Sequence, residues 1–448
     1  MASGIFEKSV GAVRPGTYVN FVGKKQDSVV GATRGTVLLP LTTTDYGPAK
    51  KFIKLTAESP DACRALLGHS IYDDHPAMLM IREAFKGANS VIVFILAEGK
   101  TAATGTGGGV TGTAKYKGTL GNKLTYSIVA NPVEGFDVEV SMNGVKLESY
   151  EGVTSVADLS GSQYITFAAN GEASMAAIAG VTLEGGEDTE STNADVTAFL
   201  DGAEGQTFDT LCFPFEDKEL HAALKTKVKY IRDTIGKPIQ AVAPNFAADY
   251  EGIINVTNSY ALDDKELTIA QACAFVAGVT AGASKTTSNT YRTVDGATAI
   301  VGVKSHKEAV TAIQNGELFF SISEAGNVVI EYDINSMVTI PANRDESYRK
   351  NRVQRVFAEW QKAIQLNFPP NKFNNNDEGW EIMEGIGRTL LKQFGPTSEG
   401  GDGALQNIDY DNDFKVDRTN SQGDATYFDC GIQAVDSAEK LYFTVATR

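Results

Sequence analysis

The chain has 448 residues, of which 42% are apolar and 21% charged, with a formal net charge of −16. That length exceeds what one hydrophobic core sustains, so several domains are expected, and the apolar content is that of a folded chain and not a disordered one. The acidic excess argues against nucleic acid or an anionic membrane as the main partner and suits a protein that stays soluble at high local concentration.

Cys63, Cys212, Cys273 and Cys430 are far apart, with no C-x-x-C pair, and the four histidines supply no zinc-ligand spacing. Each cysteine is expected to be a small buried apolar side chain in a reducing compartment. The opening residues do not read as a secretory leader. The longest apolar runs are about ten residues, short of the roughly 20 a membrane-spanning helix needs. The expected compartment is therefore the cytosol, with no membrane insertion.

Residues 1–25 contain a turn at Pro15-Gly16 and the alternating stretch "TYVNFV", a strand pattern without a hydrophobic neighbourhood of its own. From 28 to 98, strand-like "GTVLLPL" and "SVIVFILA" alternate with helical "SPDACRALLG" and "PAMLMIREAFKG", the mark of an α/β layer. Ser59 before Pro60 has the form of an N-cap with proline at the first helical position. From 105 to 185 helical periodicity vanishes, and "KLTYSIVAN", "FDVEVSMNG", "VKLESYEG", "YITFAAN" and "AGVTLEGG" read as short strands. Asn143-Gly144 is a two-residue hairpin signal, and "GGEDTESTNAD" closes this all-β module as a polar linker.

The α/β pattern resumes with "TFDTLCFPF" as a strand, "KELHAALKTKVKYIRDTIG" as a helix ending at Gly236, and "KPIQAVAPN" as a strand. Thr268 and Gln271 form a capping box for "IAQACAFVAGVTAGAS", a helix rich in small residues. Strands come next at "TAIVGV", "ELFFSIS" and "NVVIEYDIN". In the C-terminal part, Val353, Val356, Phe357, Trp360 and Ile364 share one helical face, and Trp380, Met383, Ile386, Leu390 and Phe394 share another. Gly395-Pro396 stops the second helix.

Three stretches imitate ligand sites. Gly107, Gly109 and Gly112 spell G-x-G-x-x-G, the dinucleotide-binding turn. The next residues, "TAKYKGTLGNKLTYSIV", alternate like a strand and open no helix to hold a phosphate. The glycines are expected to be a flexible connector into the β module. "GVTAGASKTT", 278–287, resembles a P-loop, but Ala283 stands at the second Walker glycine and Ser284 precedes Lys285. Asp409, Asp411 and Asp413 have calcium-loop spacing, yet Phe414 replaces the loop glycine and Asn420 the bidentate glutamate; a solvated acidic loop is expected. His69 and His75 flank Asp73 and Asp74, and a polar loop between helices is the expected reading. With no G-x-S-x-G and no H-E-x-x-H, no catalytic, cofactor or metal residues are assigned, and no enzyme is expected.

"AKYKGTLGNKLTYSIV", 114–129, with its aromatic-x-Gly-x-x-Gly-Asn pattern, resembles the start of the inserted domain of contractile phage tail sheath proteins. "VRPGTYVNF" resembles that family's N-terminal strand, and "FDVEVSMNGVKLESYEGVTSVADL" its inserted β domain. "FDTLCFPF", "TIAQACAFVAGVTAGASKTTSNTY" and "EKLYFTVAT" resemble its core and C-terminal strand, so the likeness covers nearly the whole chain in the family's order. The style is that of a Gram-positive phage or an R-type bacteriocin.

The resemblance implies a structural subunit that polymerises helically with itself as stacked rings around a tail tube protein. It implies baseplate and tail terminator proteins as further partners, and contraction that drives the tube through a bacterial envelope. The expected location is the host bacterial cytoplasm during assembly, then the virion or phage-tail-like particle. The expected fold class is α/β (α+β) multidomain: an arm strand at 1–25, an α/β core at 26–104 and 188–340, an inserted all-β domain at 105–187, and a helical C-terminal domain at 341–448 with exchanged terminal strands. A surface adhesin or carbohydrate-binding multidomain protein is the alternative of another class, and an oxidoreductase using the opening glycines a remoter one.

Two strand-like segments at opposite ends of the chain, neither with a hairpin partner, leave backbone donors and acceptors unpaired. Addition to a neighbour's sheet edge satisfies them. The expected inter-subunit strands are Gly16, Thr17, Tyr18, Val19, Asn20, Phe21 and Val22, and Lys440, Leu441, Tyr442, Phe443, Thr444, Val445 and Ala446. A tube contact is expected in the basic stretch from Arg344 to Lys362, whose six basic residues face three acidic ones. Arg349, Arg352, Arg355 and Lys362 are the expected tube-facing residues, as an exposed helix face gripping an acidic tube weakly and reversibly.

Overall fold

In the computed structural model, residues 34–56, 60–171, 173–263 and 265–447 are described. The expected arm strand Gly16–Val22 lies outside them, as does Ser59; helix α1 (Pro60–Leu67) begins at the expected proline.

A seven-stranded sheet forms the core, in the order Glu317–Leu318, Ile253–Val256, Gln240–Pro244, Thr210–Cys212, Thr36–Leu41, Ser90–Ile95 and Phe52–Thr56. All its pairings are parallel except the last, where Phe52–Thr56 runs against Ser90–Ile95. Successive strand residues point to opposite faces. Val37, Leu39, Val91, Val93 and Val242 accordingly pack on one side with α1, α2 (Pro76–Phe85) and α5 (Ile269–Gly282). Leu38, Ile92, Phe94, Leu211 and Ala241 pack on the other with α3 (Asn193–Ala203) and α4 (Lys218–Lys229). Burial on both faces explains why these strands read as continuous apolar runs.

The expected capping box at Thr268 and Gln271 starts α5. Helix α3 was not expected, although Thr192 and Asp195 form the same device. Helix α6 (His306–Gln314) opens on a capping box of Ser305 and Glu308. Helix α4 ends at Lys229, short of Gly236, and the chain continues as one π-turn, Tyr230–Thr234.

The β module is a sandwich of a four-stranded sheet, ordered Ile178–Thr182, Leu124–Ala130, Phe136–Met142 and Val145–Val153, and a three-stranded sheet, ordered Thr104–Gly107, Val110–Ala114 and Ile165–Ala169. Asn143 (φ 50°) and Gly144 (φ 77°) make the expected tight turn. The chain enters and leaves side by side, with a bridge between Thr101 and Glu187, so the sandwich begins before residue 105.

The C-terminal region packs α7 (Asn351–Asn367) on α8 (Asp377–Phe394) and on the hairpin Phe414–Val416/Phe428–Cys430. Val356, Trp360, Leu390, Leu391, Phe394 and Phe414 form its core. Cys63, Cys212 and Cys273 are buried as expected, but Cys430 is exposed.

Candidate assembly site

Helix α7 is buried on two sides. Its apolar face meets α8, and its polar face meets the α/β core. The second contact removes the exposed basic face on which the expected tube grip relied. Arg355 has no exposed surface; its Nη2 donates to Asp333 Oδ2 at 2.8 Å and to the Thr287 carbonyl at 2.7 Å. Arg352 is 8% exposed and donates to Ser437 Oγ at 2.6 Å. Arg349 donates to the Ile313 carbonyl at 2.7 Å, and Lys362 pairs with Asp209. Each of the four is engaged within the chain, so none is a free charge on an exposed face. A seven-residue spacing places Arg355 and Lys362 on one side of a helix, but carboxylates remote in sequence decide whether that side meets water.

Asp333 organises this interface. Its Oδ2 also accepts from the Asn289 backbone N–H at 2.9 Å, and its Oδ1 from Asn351 Nδ2 at 2.9 Å. Burial alone would raise the Asp333 pKa, but the Arg355 charge and these hydrogen bonds hold it below the usual carboxylate range.

The chain's last stretch leaves the body beside this cluster. Backbone hydrogen bonds tie Gln406 to Gln433 at 3.0 Å and Val435 to Ala404 at 2.9 Å. Beyond Val435 the attachments are made by side chains. The Glu439 carboxylate accepts from Thr290 Oγ1 at 2.6 Å and Ser288 Oγ at 2.9 Å, and it pairs with Lys350 Nζ. The Lys350 ammonium also lies 4.0 Å from the Tyr332 ring centroid. Burial would lower the Lys350 pKa; its hydrogen bond to Glu439 and the neighbouring acids raise it instead.

Residues 440–447 are assigned to no strand. Leu441, Tyr442, Phe443 and Val445 are 66–90% exposed. Sequence reading located this segment but missed its anchor, because Glu439 looks like any acidic residue until Ser288, Thr290 and Lys350 are brought around it.

The ligand-like stretches have other uses. Gly108 (φ 64°) and Gly109 (φ 77°) form the tight turn between Thr104–Gly107 and Val110–Ala114. The glycines are therefore part of the sandwich, which corrects the expected flexible connector. Gly112 lies against Tyr126, where an added Cβ would sit 3.0 Å from the ring. The Tyr126 hydroxyl donates toward the Val110 and Gly107 carbonyls at 2.9 and 3.1 Å. Gly278 and Gly282, of the P-loop-like stretch, let α5 approach α2 and the turn after it; Cβ atoms there would fall 2.1 Å from the Ala84 carbonyl oxygen and 1.8 Å from that of Gly87. Lys285 pairs with Glu359 on α7 and with Asp402. Asp409 accepts from the backbone of Asp411 and Asn412, as a self-contained turn.

His69 and His75 do more than line a polar loop. Their rings stack at 4.1 Å, and their Nε2 atoms lie 2.6 and 3.4 Å from Asp45 Oδ2. Three possible ligand atoms lie within 4.8 Å of one another. However, His75 Nδ1 accepts from the Ala77 N–H as the cap of α2. That places the His75 proton on Nε2, toward Asp45, where a metal would need a lone pair. The group is a hydrogen-bonded cluster where the core meets the sandwich, since the Asp45 carbonyl accepts from Leu120 N–H at 3.2 Å. Burial would raise the Asp45 pKa, but hydrogen bonds from His69, His75 and Thr43 hold it well below the usual range.

A three-layer α/β core, an inserted β sandwich and a helical region with a bare apolar tail define a multidomain structural subunit. Residues 34–94 match the family region described as tail sheath protein Gp18 domain III N-terminal region, and 97–195 the phage tail sheath protein beta-sandwich domain. Residues 189–336 match the phage tail sheath protein central domain, and 343–448 the phage tail sheath C-terminal domain. The chain is 32% identical to the phage-like element PBSX protein XkdK of Bacillus subtilis, over 99% of both chains. It is similar to the crystal structure of the sheath tail protein from Desulfitobacterium hafniense, at 32% identity and a TM-score of 0.81, covering 96% of this chain and 99% of that one. The contracted helical sheath of the anti-feeding prophage shares the fold, with a TM-score of 0.54 at 13% identity over 98% of this chain and all of that one. The chain belongs to the phage tail sheath protein family and is a structural subunit of a contractile sheath, a component of a virion or tail-like particle.

Proposed function

We propose that this protein polymerises helically with itself around a tail tube and that the polymer contracts to drive the tube through a bacterial envelope. The carrying observation is the segment 440–447, which leaves the body with Leu441, Tyr442, Phe443 and Val445 exposed. Burying such a side chain is worth about 1.5–3 kcal/mol, so a segment of this composition favours a partner surface. Extended backbone adds hydrogen bonds when it joins a sheet edge. A second copy of the chain is the proposed acceptor, with Gly16–Val22 as the reciprocal strand. Such links keep subunits connected while they rotate. The role is mechanical and needs no cofactor, with assembly in the host cytoplasm and the tube, baseplate and terminator proteins as partners.

Negative-stain electron microscopy of the purified chain, beside versions lacking residues 1–22 or 440–447, tests this reading. Hollow tubes from the full chain that are lost on either truncation are the expected result. Tubes from both truncations would discard the arms as essential links. Discrete monomers from the full chain, with and without added tube protein, would overturn the sheath polymer itself.

A further inference from the structure

The basic residues at the start of α7 do not grip a neighbour from an exposed face, yet two of them meet the root of the C-terminal arm. Lys350 pairs with Glu439, and Arg352 donates to Ser437. Both Glu439 oxygens are occupied, Oε1 by the Ser288 and Thr290 hydroxyls and Oε2 by the Lys350 ammonium. The Glu439 side chain is 9% exposed, whereas the next residue is exposed and the apolar side chains after it stand in solvent. Among the described residues, Glu439 is thus the last whose side chain is attached to the body, one position before the exposed segment.

We infer that Glu439 is a positioning residue for assembly: its carboxylate, clasped by Lys350, Ser288 and Thr290, fixes the point from which the arm leaves the body. This rests on the reading of 440–447 as an inter-subunit strand. Without the clasp, the last backbone tie would be at Val435 and the last side-chain tie the Arg352–Ser437 hydrogen bond, and 438–439 would add their freedom to the segment that must be ordered on docking. Ordering one residue's backbone costs about 1–2 kcal/mol. Paying that cost during folding leaves less to oppose association. The clasp also sets reach. From Glu439, the eight residues 440–447 extend at most roughly 28 Å, and a shorter tether holds the strand at higher effective concentration near its acceptor.

The four components come from three separate places in the chain: the loop after α5 supplies Ser288 and Thr290, the N-terminus of α7 supplies Lys350, and the tail supplies Glu439. The same loop and helix hold Asp333 through Asn289 and Asn351. The clasp is therefore mounted on the contact between the α/β core and the C-terminal region. Orientation of the arm follows the body without passing through a flexible linker.

The test uses the full chain with Glu439→Gln, Lys350→Met and the double substitution, beside the version lacking 440–447. Three quantities are measured: the urea midpoint of the subunit, the rate at which trypsin releases the peptide after Lys440, and the protein concentration at half-maximal tube formation. A protease needs extended, free chain on both sides of the bond, so the clasp protects that site. Each single substitution is expected to lower the urea midpoint modestly, less than loss of the fully buried Arg355–Asp333 pair, because the clasp keeps some contact with water, and to leave the subunit folded without urea. Each should speed release roughly tenfold and raise the half-assembly concentration by a similar factor, the change that ~1.4 kcal/mol carries. The double substitution should add little, because both remove one contact.

Unchanged cleavage and assembly in the single variants, with tubes lost in the truncation, would overturn the clasp and leave the arm intact. Full assembly by the truncated chain would instead overturn the arm. Should Lys350→Met unfold the subunit, Glu439→Gln and Ser288→Ala carry the same test. They leave the ammonium over Tyr332, and wild-type values in both would overturn the inference.

Discussion

Arg355 and Asp333 meet at 2.8 Å, and neither is more than 2% exposed. This pair joins α7 to the chain segment just after the strand Val328–Ile330. Removing one partner from a buried, hydrogen-bonded ion pair strands the other charge, which costs about 3–5 kcal/mol. Asp333→Asn and Arg355→Met are each expected to lower the unfolding free energy of the subunit by that amount in urea titration. Arg355→Glu should abolish assembly by unfolding the interface; a fully stable Arg355→Glu subunit would contradict the burial.

Two helical glycines should respond oppositely to alanine. At Gly278 an added Cβ meets the Ala84 carbonyl oxygen at 2.1 Å, so α5 must move off α2. Overpacking of this kind costs about 1–3 kcal/mol. At Gly385, inside α8, nothing lies within 4 Å, and alanine should stabilise by up to about 1 kcal/mol through helix propensity. Differential scanning calorimetry of both variants reads the sign directly.

Tyr126→Phe removes a hydroxyl that serves the carbonyls of Val110 and Gly107. A loss of about 1 kcal/mol is expected, with faster amide hydrogen exchange in 104–114. Equal exchange in the two proteins would show that the hydroxyl does not hold the glycine hairpin.

Acid should destabilise the subunit. Asp45, Asp209 and Asp333 all have folded-state pKa values below those of free carboxylates. A depressed pKa stabilises the fold above the unfolded value, near 4, and the contribution is lost as pH falls toward the folded value. The urea midpoint should therefore hold between about pH 8 and pH 5 and drop steeply below about pH 4. Asp45→Asn should shallow that drop, since one of the three carboxylates no longer titrates. A midpoint constant down to pH 3 would refute the assignment.

Much of the architecture was written locally. The Thr268–Gln271 capping box, the Asn143-Gly144 turn and the apolar stripe from Val353 to Ile364 depend on residues a few positions apart, and each formed where its pattern stands. The rejection of the nucleotide motifs was also legible, because a phosphate turn needs a helix directly after it and the sequence there alternates.

Long-range encounters were not legible. The sequence by itself determined the alternation of α/β and all-β segments, the apolar composition of the tail, and the absence of helical context at the glycines, all properties of neighbouring residues. Only the tertiary structure decided that Arg355 meets Asp333 instead of solvent, that the Asp45 carboxylate meets both His69 and His75, and that Lys350 closes on Glu439, 89 positions away. A charged residue's partner is fixed by the packing of whole elements. Periodicity records which side of a helix a residue occupies, but carries no information about what that side will face.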